Sequence, residues 1–117
     1  MSNNEAQPAP TASDGPAIWP IVIEYAEGIH VPDAEVRGLL VADMAERHRI
    51  GIERYGVPLQ AHNGRDALVD AYQEALDLCA YLAQAYHDGT KVVSTLFRGA
   101  VRMAHEIRVM LHMRDAR

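Results

Sequence analysis

The sequence predicts an all-α fold: a helical bundle built on an antiparallel helix hairpin, with a disordered N-terminal tail and an oligomer-forming third helix. Three observations carry this. Apolar residues recur at the 3.6-residue period over three long stretches. Capping and turn residues bracket each stretch. The connections between them are short, as in a bundle.

Residues 1–16 are rich in Asn, Ala, Pro, Ser and Thr and read as the disordered tail. That leaves 17–117 as a single domain. Ile18-Trp19-Pro20-Ile21-Val22-Ile23 is a short apolar segment whose proline argues against a central strand. An extended arm and a short helix both fit it. Either would pack across a helical core or a neighbouring subunit.

The first clear helix starts near Pro32, with Asp33 and Glu35 in the first turn, where acidic residues suit the helix dipole. Val36, Leu39, Leu40 and Ile50 mark its apolar face. It should end near Tyr55-Gly56, with Gly56 as a C-terminal cap and Pro58 beyond. His62-Asn63-Gly64 closes the following loop as a turn. The second helix is expected over Arg65–His87, with Leu68, Tyr72, Ala75, Cys79, Leu82 and Tyr86 as its core stripe. Gly89 should close it and Thr90 cap the third helix. That third helix carries Val93, Leu96, Phe97, Ala100, Ala104, Ile107 and Leu111 on one face. Val92, Met103 and Met110 widen this sector beyond what one helix partner needs, so a second subunit is expected against it.

The chain has 117 residues, enough for one domain that buries roughly 65% of its unfolded surface and gains from oligomerisation. A net charge of -5 argues against a nucleic-acid polymer as partner. The single Cys79 excludes an internal disulfide and, lying among apolar helical residues, reads as packing. No apolar run approaches the ~20 residues of a membrane span, and no secretory signal is evident, so a reducing cytoplasm is expected.

The chemistry-bearing stretch is Asn63 to Asp77. Asp66, Asp70 and Glu74 are spaced i, i+4, and Asp77 follows Glu74 at i+3, spacings that bring side chains together on a helix. Almost no basic residue is near enough in sequence to pair them. A solvated acidic face would account for this stripe; so would a cation held by oxygen ligands, for which Mg2+ is the natural choice. Asp66 also suits the helix N-terminus and ranks below the others as a ligand. On the first helix, Asp43 lies within the marked face, with Glu46 beside it at i+3 and Arg47 at i+4. An Asp43–Arg47 ion pair is one reading. Placed against Glu74 and Asp77 in a hairpin, Asp43 and Glu46 would instead complete a four-carboxylate cage. A di-iron site would call for Glu-x-x-His pairs. Asp77 stands third after Glu74, so a hard divalent ion is favoured.

Asp43-x-x-Glu46 followed by Glu74-x-x-Asp77 resembles the paired motifs of the all-α nucleoside triphosphate pyrophosphohydrolases, the MazG-like superfamily. The run Arg54-Tyr55-Gly56-Val57-Pro58-Leu59-Gln60, with Asn63-Gly64-Arg65-Asp66 and the stretch from Asp70 to Asp77, is similar to small phage-type members. The resemblance covers roughly Ile18 to Ala85 and leaves the third helix outside it. It implies a Mg2+-dependent enzyme, with Mn2+ as a substitute, that splits a nucleoside triphosphate into monophosphate and pyrophosphate. A homodimer or homotetramer in a bacterial or phage-infected cytoplasm would be expected.

On this resemblance the metal ligands are Asp43, Glu46, Asp70, Glu74 and Asp77, with Glu46 and Glu74 in catalysis and Glu46 as general base. Asp43 stands where the family usually has Glu, and its shorter side chain would reach the metal through water. With Lys91 the only lysine, far from the motif, a triphosphate clamp falls to Arg47, Arg54 and Arg65. Tyr55 and Asn63 would hold base and sugar; Trp19 is a further candidate there, although its favoured reading is an anchor for subunit packing. A nucleotide binder without hydrolysis and a structural helical module are the alternatives.

Overall fold

The structure, a computed structural model, describes residues 2–116. The described residues form four α-helices and no strand: α1 (Ile18–Glu27), α2 (Ala34–Tyr55), α3 (Ala67–His87) and α4 (Ser94–Asp115). The all-α expectation holds. A 3-10 turn at Lys91–Val93 leads into α4. The chain divides into two compact units, Pro8–Arg65 and Asp66–Arg117 with Met1–Gln7.

In the Pro8–Arg65 unit, α1 packs on α2. The apolar segment left open by its Pro20 is helical. Pro20 is the third residue of α1, where a missing N–H costs no intrahelical bond. Asp33 caps α2 by accepting from the Val36 N–H at 3.1 Å. Gly56 ends it at φ +76°, a left-handed conformation that a side chain would disfavour. Beyond Gly56 the chain turns back to meet the start of α1: Ile18 N donates to Leu59 O at 2.8 Å and Ala61 N to Pro16 O at 3.0 Å.

The expected apolar face of α2 is corrected. Along α2 the half-buried side chains are Arg37, Val41, Met44 and His48, joined near its end by Ile50 of the expected face. Val36, Leu39 and Leu40 are 56%, 60% and 39% exposed, so they line a side of α2 that α1 leaves uncovered. Ala26 is the one buried apolar residue of this unit among the described residues.

In the other unit, α3 and α4 form an antiparallel hairpin. A six-residue connection joins one pair of ends, and an Asp66–Arg114 ion pair joins the other. Ala75, Ala100, Ala104 and Leu111 are its buried apolar residues. Small side chains at the crossing let the two helices approach closely, and dispersion contacts accumulate with proximity. Leu68, Tyr72, Cys79 and Leu82 are half-buried, as their stripe predicts, but Tyr86 at its end is exposed. At the turn, the Lys91 ammonium lies 4.0 Å from the Tyr86 ring centroid, a cation–π contact. The anticipated hairpin of the second helix with the first is thus not how the units are built. α2 takes α1 as its partner and α3 takes α4.

The N-terminal segment also differs from the free tail its composition predicts. Residues 2–16 carry no α-helix, but side chains elsewhere hold them. Gln73 Nε2 donates to the carbonyls of Asn3 and Glu5, and Gln7 exchanges bonds with the Asp66 backbone. Thr11 N donates to Asn63 O, and Gln60 Nε2 to Ser13 O, each at 2.8 Å. Gly15 faces the Ala61 carbonyl so closely that a Cβ would have no room.

Candidate functional site

The acidic stripe forms on α3 as expected, and its members divide by what they touch. Asp66 is the N-cap: its carboxylate accepts from the Val69 N–H at 3.2 Å and pairs with Arg114 at 2.9 Å. The Arg114 hydrogen bond holds its pKa below the ordinary aspartate value. Its place outside the ligand set therefore has a structural reason. Asp70 accepts from Gln7 Nε2 at 2.8 Å. Glu74 and Asp77 are exposed and have no cationic partner among the described residues.

On α2 the expected ligands also separate. Asp43 is exposed, and no ion pair with Arg47 forms. Glu46 is engaged: Arg49 Nε donates to it at 3.0 Å, and the other arm of Arg49 pairs with Glu53 at 2.6 Å. That hydrogen bond lowers the Glu46 pKa and raises that of Arg49. A carboxylate so held is a poorer proton acceptor, which weakens the general-base assignment of Glu46. The i, i+3 and i, i+4 spacing of Arg49 to Glu46 and Glu53 is the sequence signal for this contact.

Asp43 and Glu46 lie in one unit and Glu74 and Asp77 in the other, so neither unit by itself contains the four-carboxylate cage. Within either unit, no three His, Cys, Asp or Glu side chains gather as a metal group among the described residues. Each unit offers carboxylate pairs. Such pairs fit Mg2+, which keeps several waters and is commonly held by one or two carboxylates together with substrate phosphates.

The substrate-binding residues divide the same way. Arg47, Arg54 and Tyr55 come together on a cavity of about 250 Å³ in the Pro8–Arg65 unit, whose walls also include Trp19, Gly51 and Leu59. Neither Arg47 nor Arg54 is paired with a carboxylate among the described residues, in contrast to Arg49. Both guanidinium groups are therefore available to an anion beside two aromatic rings. Arg65 instead donates to Pro8 O at 2.6 Å. Asn63 is buried, and its Oδ1 accepts from Arg65 N at 3.2 Å while its carbonyl accepts from Thr11. These contacts make both residues part of the turn that secures the N-terminal segment. Trp19, a further candidate from the sequence, lines the same cavity as the arginines.

No family model, no curated protein and no solved structure matches the chain.

Proposed function

We propose that the protein is a Mg2+-dependent nucleoside triphosphate pyrophosphohydrolase, converting a nucleoside triphosphate and water to the monophosphate and pyrophosphate. The observation that carries this reading is the cavity in which two unpaired arginines stand beside Trp19 and Tyr55. Guanidinium groups recognise phosphate oxygens in bidentate fashion, and aromatic rings take the flat face of a base. Asp70, Glu74 and Asp77 on α3 would hold a metal in their unit, and Asp43 with Glu46 on α2 are the corresponding carboxylates of the other unit. When bound, Mg2+ lowers the pKa of a water and offsets charge on phosphate oxygens. Glu74 and Asp77, like Asp43, have no cationic partner among the described residues and stay available for it.

We infer a homo-oligomer, dimer or tetramer. On α4, Leu96, Met103 and Met110 repeat every seven residues and are 62%, 54% and 55% exposed. An apolar seam at that period is what a partner helix covers. No helix among the described residues is long and apolar enough to cross a membrane.

A second reading, a nucleotide binder that does not hydrolyse, is favoured by the Glu46–Arg49–Glu53 network, which occupies an expected catalytic carboxylate. Incubating the protein with each common ribonucleoside and deoxyribonucleoside triphosphate, with magnesium or with chelator, separates the readings. Monophosphate and pyrophosphate formed only with magnesium support the enzyme. Intact triphosphates that still raise the melting temperature establish the binder. Neither product nor shift leaves a structural helical module.

A further inference from the structure

The position of Gly51 is unexplained by the helix it sits in. It lies inside α2, where glycine costs about 1 kcal/mol relative to alanine. Its backbone is helical, so no left-handed turn requires it. A Cβ built there would meet nothing within 4 Å. The open space in front of it is the cavity lined by Trp19, Arg47, Arg54 and Tyr55. Gly51, with no side chain, leaves that stretch of the cavity wall open.

The lining restricts what can enter. Apolar walls such as Ile50, Val57 and Leu59, with the Trp19 and Tyr55 rings, suit a flat, weakly polar body. The ionised side chains are arginines alone, and no carboxylate lines the cavity. Arg47 and Arg54 are seven residues apart on one helix, about 10 Å along its axis. Ligand clefts for drug-sized molecules run from about 300 Å³ upward. A cavity of about 250 Å³ is therefore small for a whole triphosphate and suited to its base end. With no carboxylate present, an anion there needs no metal to neutralise repulsion.

We propose that the cavity lined by Trp19, Arg47, Gly51 and Arg54 is a metal-independent site for the nucleoside monophosphate half of the substrate, with the base against Trp19 and the phosphate shared by Arg47 and Arg54. This rests on the nucleotide reading above, and it adds that recognition and metal-dependent hydrolysis use separate groups. It follows that the monophosphate product binds with magnesium absent.

Trp19 is the only tryptophan, so its fluorescence reports this cavity directly. The full chain is titrated, in chelator, with the 5′-monophosphates of the common bases and with the matching nucleosides. The expected result is saturable quenching by at least one monophosphate, about tenfold weaker for its nucleoside, and unchanged on adding magnesium. Gly51→Leu fills the space and abolishes quenching. Arg47→Ala, on an exposed stretch of the helix, weakens it about tenfold with the circular dichroism retained. Failure of every monophosphate to quench overturns the site, as does wild-type affinity in both variants. If the triphosphates are hydrolysed while no monophosphate quenches, the inference falls and the enzyme stands. If monophosphates bind and no triphosphate is ever hydrolysed, the site stands and the enzyme falls.

Discussion

Arg114 Nη1 lies 2.9 Å from Asp66 Oδ2, joining the last turn of α4 to the residue that caps the first turn of α3. The pair closes the open end of the α3–α4 hairpin, and Asp66 serves two structural needs with one carboxylate. Asp66→Ala removes both the cap and the ion pair, and should lower stability by about 1 kcal/mol, most of it from the cap. Both partners are more than a third exposed, so solvent screening keeps the ion-pair share small. Asp66→Asn retains a capping oxygen and should lose less. Chemical denaturation of the two variants ranks them.

The same carboxylate sets a pH dependence. The Asp66 pKa is lowered in the folded chain, chiefly by the Arg114 hydrogen bond. The unfolded chain therefore takes up the proton first as pH falls. The stabilisation is complete above the ordinary aspartate pKa and is lost as pH drops through the lowered folded value. Melting temperatures recorded from about pH 7 down to about pH 3 should fall less steeply at the acid end in Asp66→Asn than in the wild type. Parallel curves would mean that the Arg114 contact does not operate in solution.

Arg49 grips Glu46 and Glu53 from one position on α2. Glu46 then titrates below the ordinary glutamate value, and Arg49→Gln should return it upward, because the hydrogen bond from Arg49 is the largest cause of the lowering. Carboxyl carbon NMR through the acid range measures this directly. An unmoved Glu46 would show that the pair is a transient surface contact.

Helix ends were legible in the sequence because caps are local chemistry. Asp33 and Asp66 each accept from the N–H three residues on, and Gly56 supplies a left-handed turn, so the type and position of these residues suffice. Partner choice was not legible. The face of α2 marked by Val36, Leu39 and Leu40 is the natural candidate for its core, yet these residues are exposed while Val41, Met44 and His48 are half-buried. Pattern reports which side is apolar and says nothing of which neighbour arrives. The N-terminal segment escaped for a related reason. Its order comes from Gln60 and Gln73, whose amides reach residues 45 to 70 positions away. Composition near the segment holds no trace of them. At the candidate site, residue types pointed to Arg47, Arg54 and Tyr55, while the engagement of Glu46 by Arg49 and the burial of Asn63 emerged only in three dimensions.

Gly56 should tolerate substitution poorly despite its open surroundings. Nothing lies within 4 Å of a Cβ there, so the cost is purely conformational. At φ +76°, Gly56→Ala should destabilise by about 1–2 kcal/mol, and Gly56→Asn by less, since asparagine enters the left-handed region more readily. Equal stability of all three forms would mean that the α2 terminus relaxes when substituted.

Keeping Glu74 and Asp77 without a cationic partner costs stability. They lie i, i+3 on an exposed face of α3 and follow Asp70 at i+4 and i+7, with no cationic partner for either among the described residues. Like charges so spaced repel by a few tenths of a kcal/mol per pair. Without metal, Glu74→Gln and Asp77→Asn should therefore match or slightly exceed the wild type in melting temperature. On the hydrolase reading the order reverses when magnesium and a triphosphate are added. The wild type gains stability by mass action, while each variant, short of one ligand, gains less and loses turnover. A solvated acidic face gives the first effect without the second. The decisive quantity is thus the change in melting temperature on adding magnesium with nucleotide, compared between wild type and Glu74→Gln. Equal shifts in the two proteins would remove Glu74 from the metal-binding set.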